Sequence, residues 1–183
     1  MKKQLSFVLE IAKIVVVALA IVIPIRYFLF QPFFVKGESM QPNFQNGDYL
    51  IIDEISYRFR EPQRGEVIVF KYPQNESQLF IKRIIGLPGE KVEITDNVIK
   101  VTKTDGQLVD LKETYLPSSI ETDGNIDITL ESNQYFMLGD NRQFSFDSRR
   151  FGVVNKKEII GKVFLRAWPF ATLGFFKIPS YAN

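Results

Sequence analysis

Three segments of this chain carry side chains that could do chemistry: GESMQPNF at 37–44, LFIKRIIGLPGEKV at 79–92 and LGDNRQFSFDSRRFG at 138–152. In the first, Ser39 has Gly37 beside it, which allows close backbone approach, and the apolar Met40, Pro42 and Phe44 around it. A peptide could dock there and meet the hydroxyl. Taken alone, the segment also reads as a serine in a turn before a strand.

The second segment offers a base. If Phe80–Ile85 is a strand, Phe80, Lys82 and Ile84 share one face and Ile81, Arg83 and Ile85 the other, so each cation sits between apolar neighbours. A lysine so placed loses hydration, and its pKa falls. A fall of ~3 units from a reference near ~10.4 corresponds to about 4 kcal/mol. The neutral amine could then take a proton from a serine hydroxyl. Arg83 could not, because a guanidinium keeps its proton. Periodicity leaves the two faces equivalent, and it is chemistry that selects Lys82; the plain alternative is a lysine with its head at the sheet edge. The third segment has the Gly, Asp, Asn and Ser of a tight turn and the Asp and Arg of local ion pairs. A hydroxyl such as that of Ser145 could hydrogen-bond a neutral lysine amine and aim it.

Composition narrows the chemistry further. The 183 residues include no His and no Cys, which removes thiol chemistry, Ser/His/Asp triads, His-ligated zinc and disulfides. Lys and Arg number 23 against 21 Asp and Glu, a net charge of +2 without a long basic run, so no nucleic-acid partner is expected. The length suits one compact domain plus an appendage, and 17 Phe can build its core.

The appendage is N-terminal. Lys2 and Lys3 precede an apolar stretch whose uninterrupted part, 14–25, is 12 residues long, fewer than the ~20 that span a bilayer. Its surroundings from Leu5 to Phe34 are mostly apolar, with Glu10, Lys13 and Arg26 toward the ends, where long cations can snorkel. A cytoplasmic tail at 1–6 and one tilted or kinked transmembrane helix at 7–30 are expected, with Pro24 near the outer end. A cleavable signal peptide and a soluble core helix are the alternatives. The bulky QPFFVKGES stands where a small-x-small cleavage site is required, which favours an anchor that is kept. Lys2, Lys3 and Lys13 against Arg26 and Lys36 place the N-terminus in the cytoplasm and residues 31–183 outside.

The exported part reads as mainly β. Runs such as DYLIIDEI, GEVIVFKY, QLFIKRII, NVIKVT, QYFMLGD and GKVFLRAW are separated by Gly, Pro, Asn and Asp turn signals. Residues 95–130 are more polar and read as a small β-hairpin insertion or a surface loop. Trp168, Phe170, Phe175 and Phe176 crowd the C-terminal stretch, to complete the core or to lie in a membrane interface.

The three motifs, in this order after a single anchor, resemble type I signal peptidase as far as about Trp168. The 43-residue separation of Ser39 and Lys82 is similar to that of the compact Gram-positive forms. The resemblance implies a signal-peptidase-like β-sheet core and a membrane-bound serine endopeptidase that needs no metal or organic cofactor. Ser39 would attack the scissile carbonyl, Lys82 would act as base and then as acid, and Ser145 would orient Lys82. Asp140, Asp147 and Arg149, with Arg83, would form a supporting ion-pair network. Val35, Met40, Phe44, Phe80 and Ile81 would line a shallow groove that takes the substrate as an added strand and selects small residues at the first and third positions before the cut. The implied partners are the signal peptides of exported preproteins and the lipid bilayer, close to the secretion translocon, at the outer face of the cytoplasmic membrane.

Two departures stand out. Gly37 occupies the place where many signal peptidases have a Ser that helps to hold the oxyanion, leaving the Ser39 N–H and a further donor that the sequence does not identify. Asn43 and Phe44 replace the usual Thr and Leu, which leaves subsite size open. Two other protein classes share related scaffolds. A self-cleaving Ser/Lys repressor-type protease carries a DNA-binding region where this chain has an apolar segment. A non-catalytic secretion or pilus-assembly factor typically loses the Ser or the Lys, and both are present here.

Overall fold

The computed structural model describes residues 2–28, 30–179 and 181. Helix α1 (Lys2–Phe28) gives way to strand β1 at Phe30–Phe34, so the helix starts and ends ahead of the span expected at 7–30. Phe7, Val8, Leu9, Ile11, Ile14, Val15, Val16, Val17 and Leu19 all stand exposed on it. The side chains of 21–30, and with them the expected roles of Pro24 and Arg26, lie outside the described residues. Among the described residues, no helix is long and apolar enough to cross a membrane.

Strands then follow in close succession: β2 (Tyr49–Asp53), β3 (Val67–Tyr72), β4 (Asn75–Gly86), β5 (Lys91–Thr95), β6 (Val98–Thr102), β7 (Leu108–Asp110), β8 (Ile126–Thr129) and β9 (Gln134–Leu138). The short helix α2 (Ser148–Phe151), β10 (Val154–Asn155), β11 (Ile159–Trp168) and β12 (Gly174–Phe175) complete the chain. The large sheet has the order β1-β2-β11-β3-β4-β9-β10, with β12 against β11; the small one has the order β7-β6-β5-β8. The hairpin of β3 and β4 at the centre of the large sheet is antiparallel and sets Ile68 opposite Lys82 and Val67 opposite Arg83.

Period-two alternation divides the interior. Val67 and Val69 of β3 join Ile81, Leu50, Ile52 and Val163 in one core, while Ile68 and Phe70 pack with Ile84, Tyr135, Met137 and Phe151 on the other face. The expected face-sharing on β4 holds as far as Ile84. A bulge against β9 then lies between Ile84 and Gly86, and such bulges re-aim side chains. Ile85 therefore packs with Val92, Ile94, Ile99 and Val101 in a third core that joins the two sheets. The sheets approach so closely at Gly86 that a Cβ there would lie 2.5 Å from Val92 Cγ2.

Neither a hairpin nor a loop describes the insertion: it is a four-stranded sheet that begins at Lys91. Its strands alternate one buried apolar side with one exposed polar side, so the average polarity of 95–130 conceals an apolar face. Asp96 and Asn97, both at positive φ (51° and 63°), turn β5 into β6, as a two-residue I′ hairpin requires. At the C-terminus, Phe176 stacks on Phe44 with ring centroids 4.4 Å apart, whereas Trp168, Phe170 and Phe175 remain exposed.

Candidate active site

Lys82 lies on β4 with only 4% of its surface exposed. Its Nζ is 2.7 Å from Ser39 Oγ, donates to the Ile81 carbonyl at 2.8 Å and stands 5.5 Å from the Phe80 ring centroid. Burial pushes the amine down to about 8, against the opposing pull of the Asp147 and Asp140 carboxylates. In its neutral form the amine can give one proton to Ile81 O while its lone pair accepts the Ser39 hydroxyl proton.

Ser39 sits in the loop between β1 and β2, which is closed by Val35 N–H to Asp48 O and by Gly47 N–H to Val35 O, each 2.9 Å. The third motif holds this loop from the far side. Asn141 donates its backbone N–H to Ser39 O at 3.0 Å and its side-chain amide to Glu38 O at 3.1 Å. Only a glycine fits at 139, because any Cβ there would collide with the Ser39 carbonyl and with Ser145 Oγ. The Gly37 N–H donates to Asn46 Oδ1 at 2.9 Å, so it is engaged away from an oxyanion.

Ser145 is buried beside Gly139. Its Oγ has no hydrogen-bond partner among the described residues, so the expected bond to Lys82 is not formed. The expected ionic network is two separate bidentate pairs. Arg83 grips Asp140 through Nε (2.8 Å) and Nη2 (2.6 Å) and donates from Nη1 to Gly65 O at 2.8 Å. Asp147 accepts from Arg149 Nε and Nη2, both at 2.9 Å, and from the Gly139 N–H at 3.1 Å.

Several residues join the site in roles that the sequence does not signal. Asn43, seen as a departure from the usual Thr, donates to Asp140 Oδ2 at 2.8 Å and to Tyr115 O at 3.2 Å. The buried Arg142 donates to Glu113 Oε2 at 2.6 Å, pairs with Glu113 Oε1 as well, and reaches Gly139 O at 2.9 Å. The insertion is thereby fastened to the loop that holds Ser39.

A cleft of about 440 Å³ opens beside the dyad, lined by Pro32, Phe33, Phe34 and Lys36 on one side and by Leu79, Phe80, Ile81 and Phe146 on the other. Of the five expected groove residues, Phe80 and Ile81 line it. Val35, Met40 and Phe44 are core residues, each at most 2% exposed. Phe146, which the sequence did not single out, packs edge-on to Phe80 at 6.4 Å. Among the described residues, no carboxylate cluster could hold a metal ion.

The chain can be compared with known proteins on this basis. A family model described as "Signal peptidase, peptidase S26" matches residues 8–168. A probable signal peptidase I-2 from Synechocystis sp. is 37% identical over 171 residues, covering 91% of this chain and 76% of that protein. Signal peptidase I from Bacillus caldolyticus is 37% identical over 172 residues, covering 87% and 91%. Signal peptidase IB from Staphylococcus aureus is 34% identical over 184 residues, covering 93% of each. Matches of this identity extend over nearly the whole chain, the Ser39 and Lys82 segments included, and the chain belongs to the S26 signal peptidase family.

Proposed function

We infer that this protein is a serine endopeptidase that removes N-terminal signal peptides from exported preproteins, with Ser39 as nucleophile and Lys82 as general base. The observation that carries the reading is the 2.7 Å approach of a buried, pKa-lowered amine to the Ser39 hydroxyl. Neutral Lys82 takes the hydroxyl proton as Oγ attacks the scissile carbonyl, and the resulting ammonium returns that proton to the leaving amine. Water then repeats the sequence on the acyl-enzyme.

The cleft suits an extended peptide. β1 pairs with β2 along only one of its edges, and β9 pairs with β4 only from Arg83 onward, so the Leu79–Ile81 edge of β4 is left without β9. A substrate strand between these edges would find backbone partners on both sides, with its scissile bond beside Ser39. Small residues at the first and third positions before the cut fit a cleft narrowed by Phe80, Ile81 and Phe146.

The same reading makes α1 a single-pass anchor, with a cytoplasmic N-terminus, an outer catalytic domain, and bilayer and translocon as neighbours. Supporting it are nine large apolar side chains of α1 exposed between Phe7 and Leu19 and a 27-residue helix, about 40 Å long at 1.5 Å per residue.

The test is cleavage of a signal-peptide-bearing preprotein by the purified full chain, with the cut located by mass spectrometry, beside Ser39→Ala and Lys82→Ala. Cleavage at the signal-peptide junction by the wild type alone is expected. Equal cleavage by all three proteins, or equal labelling by a serine-directed acylating probe, would refute the reading.

A further inference from the structure

The C-terminal tail, which lies beyond the residues matched by the family model, folds back against the groups that hold the dyad. Gly65 lies directly under it: a Cβ at 65 would meet the Tyr181 ring at 2.9 Å and Pro179 Cδ at 3.0 Å. Tyr181 also meets Tyr115 edge-on, with centroids 6.1 Å apart. Tyr115 is in turn the ring over which the Arg83 guanidinium sits, 4.0 Å from its centroid.

The tail thus touches two of the three groups that grip Arg83: the ring of Tyr115, and Gly65, whose carbonyl accepts from Arg83 Nη1. The third is Asp140. From Arg83 two short routes lead to the reacting atoms. One is the peptide bond to Lys82. The other passes through Asp140 to its neighbour Asn141, whose N–H holds Ser39 O.

We propose that Tyr181 is a positioning residue for the Ser39/Lys82 dyad: with Pro179 it closes the Tyr181–Tyr115–Arg83 chain of contacts, fixing the guanidinium and so both strand β4 at Lys82 and the loop that carries Asn141. The proposal rests on the dyad reading above. Neither Pro179 nor Tyr181 lines the catalytic cleft, so their effect falls on the alignment of bound substrate rather than on its binding.

Steady-state kinetics of the detergent-solubilised full chain on a signal-peptide-bearing substrate test this, with Tyr181→Ala, Tyr181→Phe and Ser39→Ala side by side. Trimming the tail from folded wild type with a carboxypeptidase supplies a second route that needs no refolding. Tyr181→Ala and the trimmed enzyme are expected to lose about tenfold in kcat, as small misplacements of reacting groups do, with KM unchanged and with Tyr181→Phe at the wild-type rate. Unchanged kcat in Tyr181→Ala or the trimmed enzyme overturns the proposal; so does a loss confined to KM, or a Tyr181→Phe variant as impaired as Tyr181→Ala. If Tyr181→Ala does not fold, the trimmed enzyme decides by the same criteria. Ser39→Ala is inactive if the dyad reading is right. An active Ser39→Ala would sink that reading first and separately.

Discussion

Acidification should silence this enzyme through one group. With the Lys82 amine at about 8, about half of it is neutral at pH 8, about one part in ten at pH 7 and about one in a hundred at pH 6. Only the neutral form can accept the Ser39 proton, so kcat/KM should fall about tenfold per pH unit below 8 and level off above it. The same shift acts on stability. An unfolded lysine keeps its proton to about pH 10.4, whereas folded Lys82 releases it near 8. Between these values the unfolded chain binds more protons, so stability rises with pH across that window. Below about 8 both states are protonated, and the folded one bears the full cost of a buried ammonium, about 3 kcal/mol for this shift. Lys82→Met, which keeps the length and discards the charge, should therefore be inactive yet more stable than wild type by up to about 3 kcal/mol at pH 7, with the advantage fading by about pH 10.5. Cleavage of a fluorogenic signal-peptide substrate from pH 5 to 10, together with urea unfolding at each pH, measures both effects. A pH-independent rate, or a Lys82→Met protein less stable than wild type at pH 7, would refute the reasoning.

Three other substitutions bear on separate parts of the structure. Arg142→Met strands the Glu113 carboxylate beside a fully buried position and should cost about 3–5 kcal/mol in denaturant unfolding, with activity lost in proportion to the unfolded fraction. Gly139→Ala drives a methyl group against the Ser39 carbonyl; kcat should drop on the order of 100-fold, and a normal rate would show that the loop yields. Val16→Asp in the middle of α1 should lower the fraction that stays with membranes after carbonate extraction, since a charge at mid-bilayer costs about 3 kcal/mol; an unchanged fraction would argue against the anchor.

The proximity of Ser39 and Lys82 was legible only once three motifs, each weak alone, were taken together. The absence of His and Cys removed the commoner ways to activate a serine, and alternation along β4 left one lysine and one arginine that chemistry tells apart; the pairing with Ser39 came from the ordered motifs that resemble type I signal peptidase. What escaped were contacts between residues far apart in the chain. Asn43 meets Tyr115 and Asp140 across 72 and 97 residues, and Glu113 meets Arg142 across 29; no local periodicity reports such pairs. Apolar character also fails to separate a groove wall from a core. Val35, Met40 and Phe44 have the composition of a peptide-binding surface and lie beneath it. The small sheet was concealed for a related reason, because half of each strand faces water and dilutes the signal of the half that does not.

Three arginine–carboxylate pairs surround the reacting groups: Arg83–Asp140, Arg142–Glu113 and Arg149–Asp147, with no side chain more than 12% exposed. Mobile ions weaken charge pairs that they can approach, and sealed ones far less. The framework around Ser39 is accordingly insulated from the saltiness of its surroundings. Added salt should therefore leave the geometry of Ser39 and Lys82 largely unchanged.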